Sequence, residues 1–140
     1  DAINIISSKF YINNINFSEN GSDSIDFDFS KGTIENANFK NVGNDAVDFS
    51  GSNVKLHNAS FFDIGDKIIS VGENSNVNIS EIIAKKSFVG IAAKDGSKVL
   101  AENITMNNVK IPFSSFIKKS EYDNPTLVLK NISYCYDVTN

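Results

Sequence analysis

The chain repeats itself every 22 residues, and few folds accommodate such a period. Asp23-Ser24-Ile25-Asp26-Phe27 returns as Asp45-Ala46-Val47-Asp48-Phe49 and then as Lys67-Ile68-Ile69-Ser70-Val71; one step back lies Asp1-Ala2-Ile3-Asn4-Ile5. Five apolar columns run at this spacing. They are Ile3, Ile25, Val47, Ile69 and Ile91; Ile5, Phe27, Phe49, Val71 and Ala93; Ile12, Ile34, Leu56, Ile79, Ala101 and Leu129; Ile15, Ala37, Ala59, Ile82, Ile104 and Ile132; and Phe17, Phe39, Phe61, Ala84, Met106 and Tyr134. One residue is inserted before Val77, and a longer insertion spans Lys118 to Asn124. Apolar and polar positions alternate within each unit, the period-two pattern of short strands with one face buried. A leucine-rich repeat has a unit of similar length, but it would show a leucine consensus and a helical stretch. Short strands stacked coil on coil at about 4.8 Å fit instead, which is a parallel β-helix.

Asn14, Asn36, Asn58, Asn103 and Asn131 share one position between the third and fourth columns, with Glu81 the exception. Asparagine tolerates the left-handed backbone that a tight bend needs, and its amide can bond to neighbours above and below. This asparagine ladder resembles the right-handed parallel β-helices of the pectate-lyase-like superfamily, over nearly the whole chain. The expectation is an all-β, right-handed parallel β-helix of about six coils of about 22 residues. It forms one domain over 1–140 and belongs to a longer chain or an assembly. The stretch from Gly65 to Ser75 and the run Lys118-Lys119-Ser120-Glu121-Tyr122 also look like bacterial surface proteins that carry a β-helix, sometimes beside a spore-coat-kinase-like domain. That resemblance implies an extracellular or cell-surface location. Those β-helices have no well-defined activity to carry over.

All 13 basic residues are lysines, scattered among 17 carboxylates for a formal charge of −4. Nucleic-acid binding rests on a clustered basic face, often with arginine, so it is set aside. No apolar run is long enough to span a membrane, and the first residues, with neither a basic nor an apolar leader region, are expected to be the interior of a longer precursor or a processed start. The single Cys135 excludes an internal disulfide and is expected to be buried as a small apolar side chain.

Chemistry is most concentrated where the first strand of each coil begins. Asp1, Asp23, Asp45 and Lys67 form one column, Asn4, Asp26, Asp48 and Ser70 another, and Gly21, Gly43 and Gly65 mark the bend before them. Three readings stay open. The carboxylates satisfy backbone N–H groups at the bend with Lys67 compensating charge; or Asp23, Asp26, Asp45 and Asp48 hold a structural Ca²⁺; or the metal and Lys67 work together. The third arrangement loosely resembles β-helical polysaccharide lyases, in which calcium acidifies a uronate α-proton and a lysine removes it. The departures are that arginine is absent, that the match extends no further than Asp-x-x-Asp and a later lysine, and that Asp66 beside Lys67 raises its proton affinity.

Tyr11 and Phe62 are expected to face outward, where rings stack on sugars, while the register of Phe29 is open. His57 falls in a polar column with no catalytic partner. Six Asn-x-Ser/Thr sequons occur, at Asn16, Asn20, Asn58, Asn78, Asn103 and Asn131; the ladder members are expected to be engaged inside the bend and closed to a glycan. The leading expectation is a non-catalytic structural or adhesive module of an extracellular protein, with polysaccharide and end-to-end or lateral protein contacts as its partners. The alternative is a calcium-dependent polysaccharide lyase or epimerase acting on polyuronate.

Overall fold

The computed structural model describes residues 1–137. Among these every regular element is a strand: β1 (Ile3–Ile6), β2 (Lys9–Asn20), β3 (Ile25–Asp28), β4 (Lys31–Val42), β5 (Val47–Ser50), β6 (Asn53–Gly72), β7 (Asn76–Lys94), β8 (Lys98–Phe116) and β9 (Thr126–Cys135). All pairings are parallel and join one coil to the next, giving a β-solenoid of about five turns. The periodic columns become rows in space. Ile25 pairs with Val47 and Val47 with Ile69, while Phe39 pairs with Phe61 and Phe61 with Ala84. Asn36 and Asn58 lie at matching places in paired strands, between the Glu35–His57 and Ala37–Ala59 pairs.

Each coil turns three corners, and non-glycine residues in the left-handed region make most of them. The first bend is at Ser7, Phe29, Gly51, Glu73–Asn74 and Asp95–Gly96. The second is at Asn14, Asn36, Asn58, Glu81, Asn103 and Asn131. The third is at Glu19, Asn41, Asp63, Lys86 and Asn108, with φ between 49° and 72° throughout. Short polar side chains tolerate this conformation best, which is why Asn dominates the second bend. The residue inserted before Val77 is absorbed at the first bend, where Glu73 and Asn74 both take positive φ. A bulge between Ile64 and Lys67 then restores the 22-residue step.

The inward columns form one core that runs along the axis. Ile25, Phe27, Ile34, Phe49, Leu56, Ile69, Ile91 and Ala101 are wholly buried in it. Rings stack along the columns, Phe17 on Phe39 at 5.2 Å, Phe39 on Phe61 at 4.8 Å and Phe27 on Phe49 at 5.2 Å between centroids. The spacing is that of the strands themselves, so the same pairing that satisfies the backbone sets the rings in contact.

A buried polar ladder lies beside the first bend. The Ser8, Ser30 and Ser52 amides donate to the hydroxyls of Ser30, Ser52 and Ser75 one coil on, at 3.1, 3.0 and 3.0 Å. The hydroxyls of Ser30, Ser52 and Ser97 donate in turn to the carbonyls of Ile5, Phe27 and Val71. Serine therefore closes the backbone groups that the corner leaves without a strand partner.

Candidate functional site

The acidic residues gather where the third bend leads into the first run of each coil. The glycines before them are required by proximity: a Cβ on Gly43 would lie 2.5 Å from the Gly21 carbonyl oxygen, and one on Gly65 would lie 2.3 Å from that of Gly43. This close backbone stack brings the next aspartates into register. Asp23 Oδ1 accepts from the Asp45 amide at 3.0 Å and from Asn44 Nδ2 at 2.6 Å, and Asp45 Oδ1 accepts from the Lys67 amide at 2.9 Å. Lys67 Nζ lies 2.5 Å from Asp66 Oδ2 and 3.6 Å from Asp45 Oδ1. Burial alone would pull Lys67 toward losing its proton, but the hydrogen bond and charges of Asp66 and Asp45 outweigh it, so its pKa is raised. Burial raises Asp45 despite the Lys67 amide and ammonium beside it.

Asp26 and Asp48 point outward from β3 and β5 and are direct neighbours across the pairing. Burial first, then the negative charges of Asp28, Asp48 and Asp23, push the Asp26 carboxyl from 3.8 up to about 6. Among the described residues no three His, Cys, Asp or Glu side chains converge as a metal-binding group. Asp23 and Asp45 each engage one carboxylate oxygen with a backbone amide.

Further along the same outer face the chemistry changes. Ser70 continues the Asp26–Asp48 column, is 0 % exposed, and its hydroxyl has no hydrogen-bond partner. Lys94, only 9 % exposed, lies back along its column over Gly72, its Cε 3.5 Å from where a Cβ of that glycine would be. The Glu73 carboxylate beside it bonds to Lys119. Burial would raise the Glu73 pKa, but the hydrogen bonds from Lys119 and Ser50 and the charges of Lys119 and Lys94 bring it below its ordinary value. Lys119 belongs to the long insertion, which docks back on the bend. Asp95 Oδ1 accepts from the Lys118 and Lys119 amides, both at 2.7 Å. Contacts made by an aperiodic segment leave no trace in a 22-residue repeat, and the Glu73–Lys94–Lys119 cluster has no sequence signature for that reason.

The second bend corrects the reading of the asparagine ladder. Asn58 Nδ2 donates to Asn36 Oδ1 at 2.6 Å, Asn131 Nδ2 to Asn103 Oδ1 at 2.6 Å, and Asn103 Nδ2 to Glu81. Asn36 donates instead to Asn13, so Asn14 keeps the bend conformation without joining the chain of amides. The ladder is not inside the bend: Asn14, Asn36, Asn58 and Asn131 are exposed and Asn103 is half-buried. A left-handed residue satisfies the corner whichever way its side chain turns, and here the side chains turn to solvent. The reason for closing Asn58, Asn103 and Asn131 to a glycan therefore does not hold.

Tyr11 and Phe62 are exposed but lie on different runs of the coil, Tyr11 paired with Thr33 and Phe62 with Lys40 and Lys85. The Tyr11 hydroxyl donates to Glu35 Oε2 at 2.8 Å, which raises its pKa, and Lys86 Nζ sits 5.9 Å from the Phe62 ring centroid. Phe29 stands exposed at the first bend with its ring over Gly51. His57 Nδ1 lies 2.9 Å from Ser80 Oγ on the exposed surface. Cys135 is exposed, not buried: it follows Tyr134 of the inward column, and alternation turns it outward opposite Asn107.

Among the described residues no helix is long and apolar enough to cross a membrane. Compared with known proteins, the chain matches no family model, no curated protein and no solved structure.

Proposed function

We infer that this chain is a non-catalytic β-solenoid module, a stiff structural or adhesive element of an extracellular or surface protein. The observation that supports the reading is the state of Lys67. A lysine base needs a depressed pKa at working pH, whereas Lys67 is held between Asp66 and Asp45 with its proton affinity raised. The aspartates around it close backbone amides, which is a structural task. The wider kinship with pectate-lyase-like β-helices draws support from the left-handed asparagine bend and the parallel coils.

Polyuronate incubated with the chain and calcium tests this directly. The expected result is no unsaturated product and no calorimetric heat on calcium titration. Product formation that disappears in Lys67→Ala, with the fold intact by circular dichroism, would establish the lyase alternative instead.

A further inference from the structure

Two clefts lie end to end along the second bend, of about 160 and 270 Å³, and they share Asn58, Glu81 and Ile83. Together they make one groove parallel to the solenoid axis. One wall is the exposed amide ladder. The other is the outward column two residues on, where Asn38 donates to Asn16 at 2.8 Å and Ser60 donates to Asn38, followed by Ile83 and Thr105.

A carboxamide has two N–H donors and a carbonyl with two lone pairs. Asn36 and Asn103 each give and take one stacking bond and so keep a donor and an acceptor, while Asn58 gives one and keeps a donor and its whole carbonyl. The groove therefore offers donor and acceptor side by side at Asn36 and Asn58, one rung of about 4.8 Å apart, and again at Asn103, two rungs beyond Asn58. Its lining holds no cation, and Glu81 is its one charged residue. The ladder is interrupted at that rung: a carboxylate has no N–H to give, so the Asn58 Oδ1 is left open there. Beside it Ile83, 62 % exposed, supplies an apolar surface.

We propose that this groove binds an extended, uncharged glycan lying along the axis, with the Asn36, Asn58 and Asn103 amides reading its hydroxyls and Ile83 meeting the C–H face of a ring. Hydroxyls both donate and accept, which matches what each rung leaves available. One sugar of an extended glycan advances by close to one rung. An extended peptide advances about 3.3 Å per residue and falls out of step, and a polyanion finds only Glu81 to repel it. The proposal rests on the adhesive reading and gives it a ligand class and a site.

The test titrates the full chain with cello-oligosaccharides from dimer to hexamer, following the side-chain amide resonances of asparagine by ¹H–¹⁵N NMR. Shifts should centre on Asn36, Asn58 and Asn103, and affinity should rise with chain length. Asn58→Gly and Asn103→Gly keep the left-handed corner without strain and should weaken binding roughly five- to tenfold each, with an unchanged far-ultraviolet spectrum. No shift at any length overturns the proposal. So does an equal response to a galacturonate hexamer. Shifts centred on another face, such as around Phe62, remove the groove as the site and leave the adhesive reading standing.

Discussion

Replacing Asp26 by asparagine removes a charge that the folded chain holds at a cost, so Asp26→Asn should stabilise the protein at high pH and do little at low pH. The sign follows from linkage. Asp26 binds its proton more tightly in the folded chain, at about 6, than at its ordinary 3.8. Its contribution is therefore fully favourable below about pH 4 and is lost as pH rises through 6. At about 1.4 kcal/mol per tenfold change in proton affinity, the difference caps the effect near ~3 kcal/mol. The carboxylate is only half-buried, and solvent and salt leave about half of that. The variant should thus gain about 1.5 kcal/mol at pH 8, or about 4–6 °C in Tm for a chain of this size, and only about 0.3 kcal/mol at pH 4, where the unfolded carboxyl is partly ionised. Thermal melts of both proteins at pH 4, 6 and 8 read the difference. In 1 M salt the gap should shrink without vanishing, because the charges of Asp28, Asp48 and Asp23 are screened while burial is not. An equal Tm difference at pH 4 and pH 8 would refute the reasoning, since at pH 4 the folded carboxyl holds its proton and most of the charge effect is gone.

Four further outcomes follow from the packing. Phe39→Ala removes a ring stacked between Phe17 and Phe61 and should cost about 3–5 kcal/mol by denaturant titration. The two buried serines should respond oppositely. Ser52→Ala strips the acceptor from the Ser30 amide and should destabilise by about 1–3 kcal/mol, whereas Ser70→Ala deletes a hydroxyl without a partner and should be neutral or stabilising by about 1 kcal/mol. Asn103→Val forces a β-branched residue into φ 58° and should destabilise by about 1–2 kcal/mol more than Asn103→Gly does, read as a gap in urea midpoints. Glu73→Gln removes the charge that holds Lys119; limited proteolysis should then cut between Ile117 and Pro125 faster than in the parent chain.

The coils were legible because their evidence is periodic. Ile25, Val47 and Ile69 announce a row of side chains before any coordinate is known, and the coordinates place them in one. The serine ladder carried the same signal, since Ser8, Ser30 and Ser52 recur at 22, yet serine reads as surface when an apolar column is the template. The third bend was hidden for a different reason. Glu19, Asn41, Asp63, Lys86 and Asn108 share a backbone conformation but no side-chain type, because at an exposed corner φ is what is constrained. Nor could the sequence say which way the asparagine ladder faces, as the bend asks the same of the backbone in either case. The candidate acidic site was legible as a column of aspartates. What they bond to, the amides of Asp45 and Lys67, depends on a backbone approach of a few ångströms that the glycines permit and no pattern records.

The side-chain amides and the lysine ammonium that bond along the second and third bends donate the same way. Asn36 reaches to Asn13, Asn58 to Asn36, Asn131 to Asn103, Asn41 to Glu19, Asn44 to Asp23 and Lys86 to Asp63, each giving a hydrogen to the coil that precedes it. The coils are thus two-faced along these two corners, with acceptors turned up and donors turned down. Stacked edge to edge in the same sense, two such surfaces complete each other's bonds; placed like against like, they confront oxygen with oxygen or hydrogen with hydrogen. The corners act as an arrow that fixes the sense in which this solenoid can be continued.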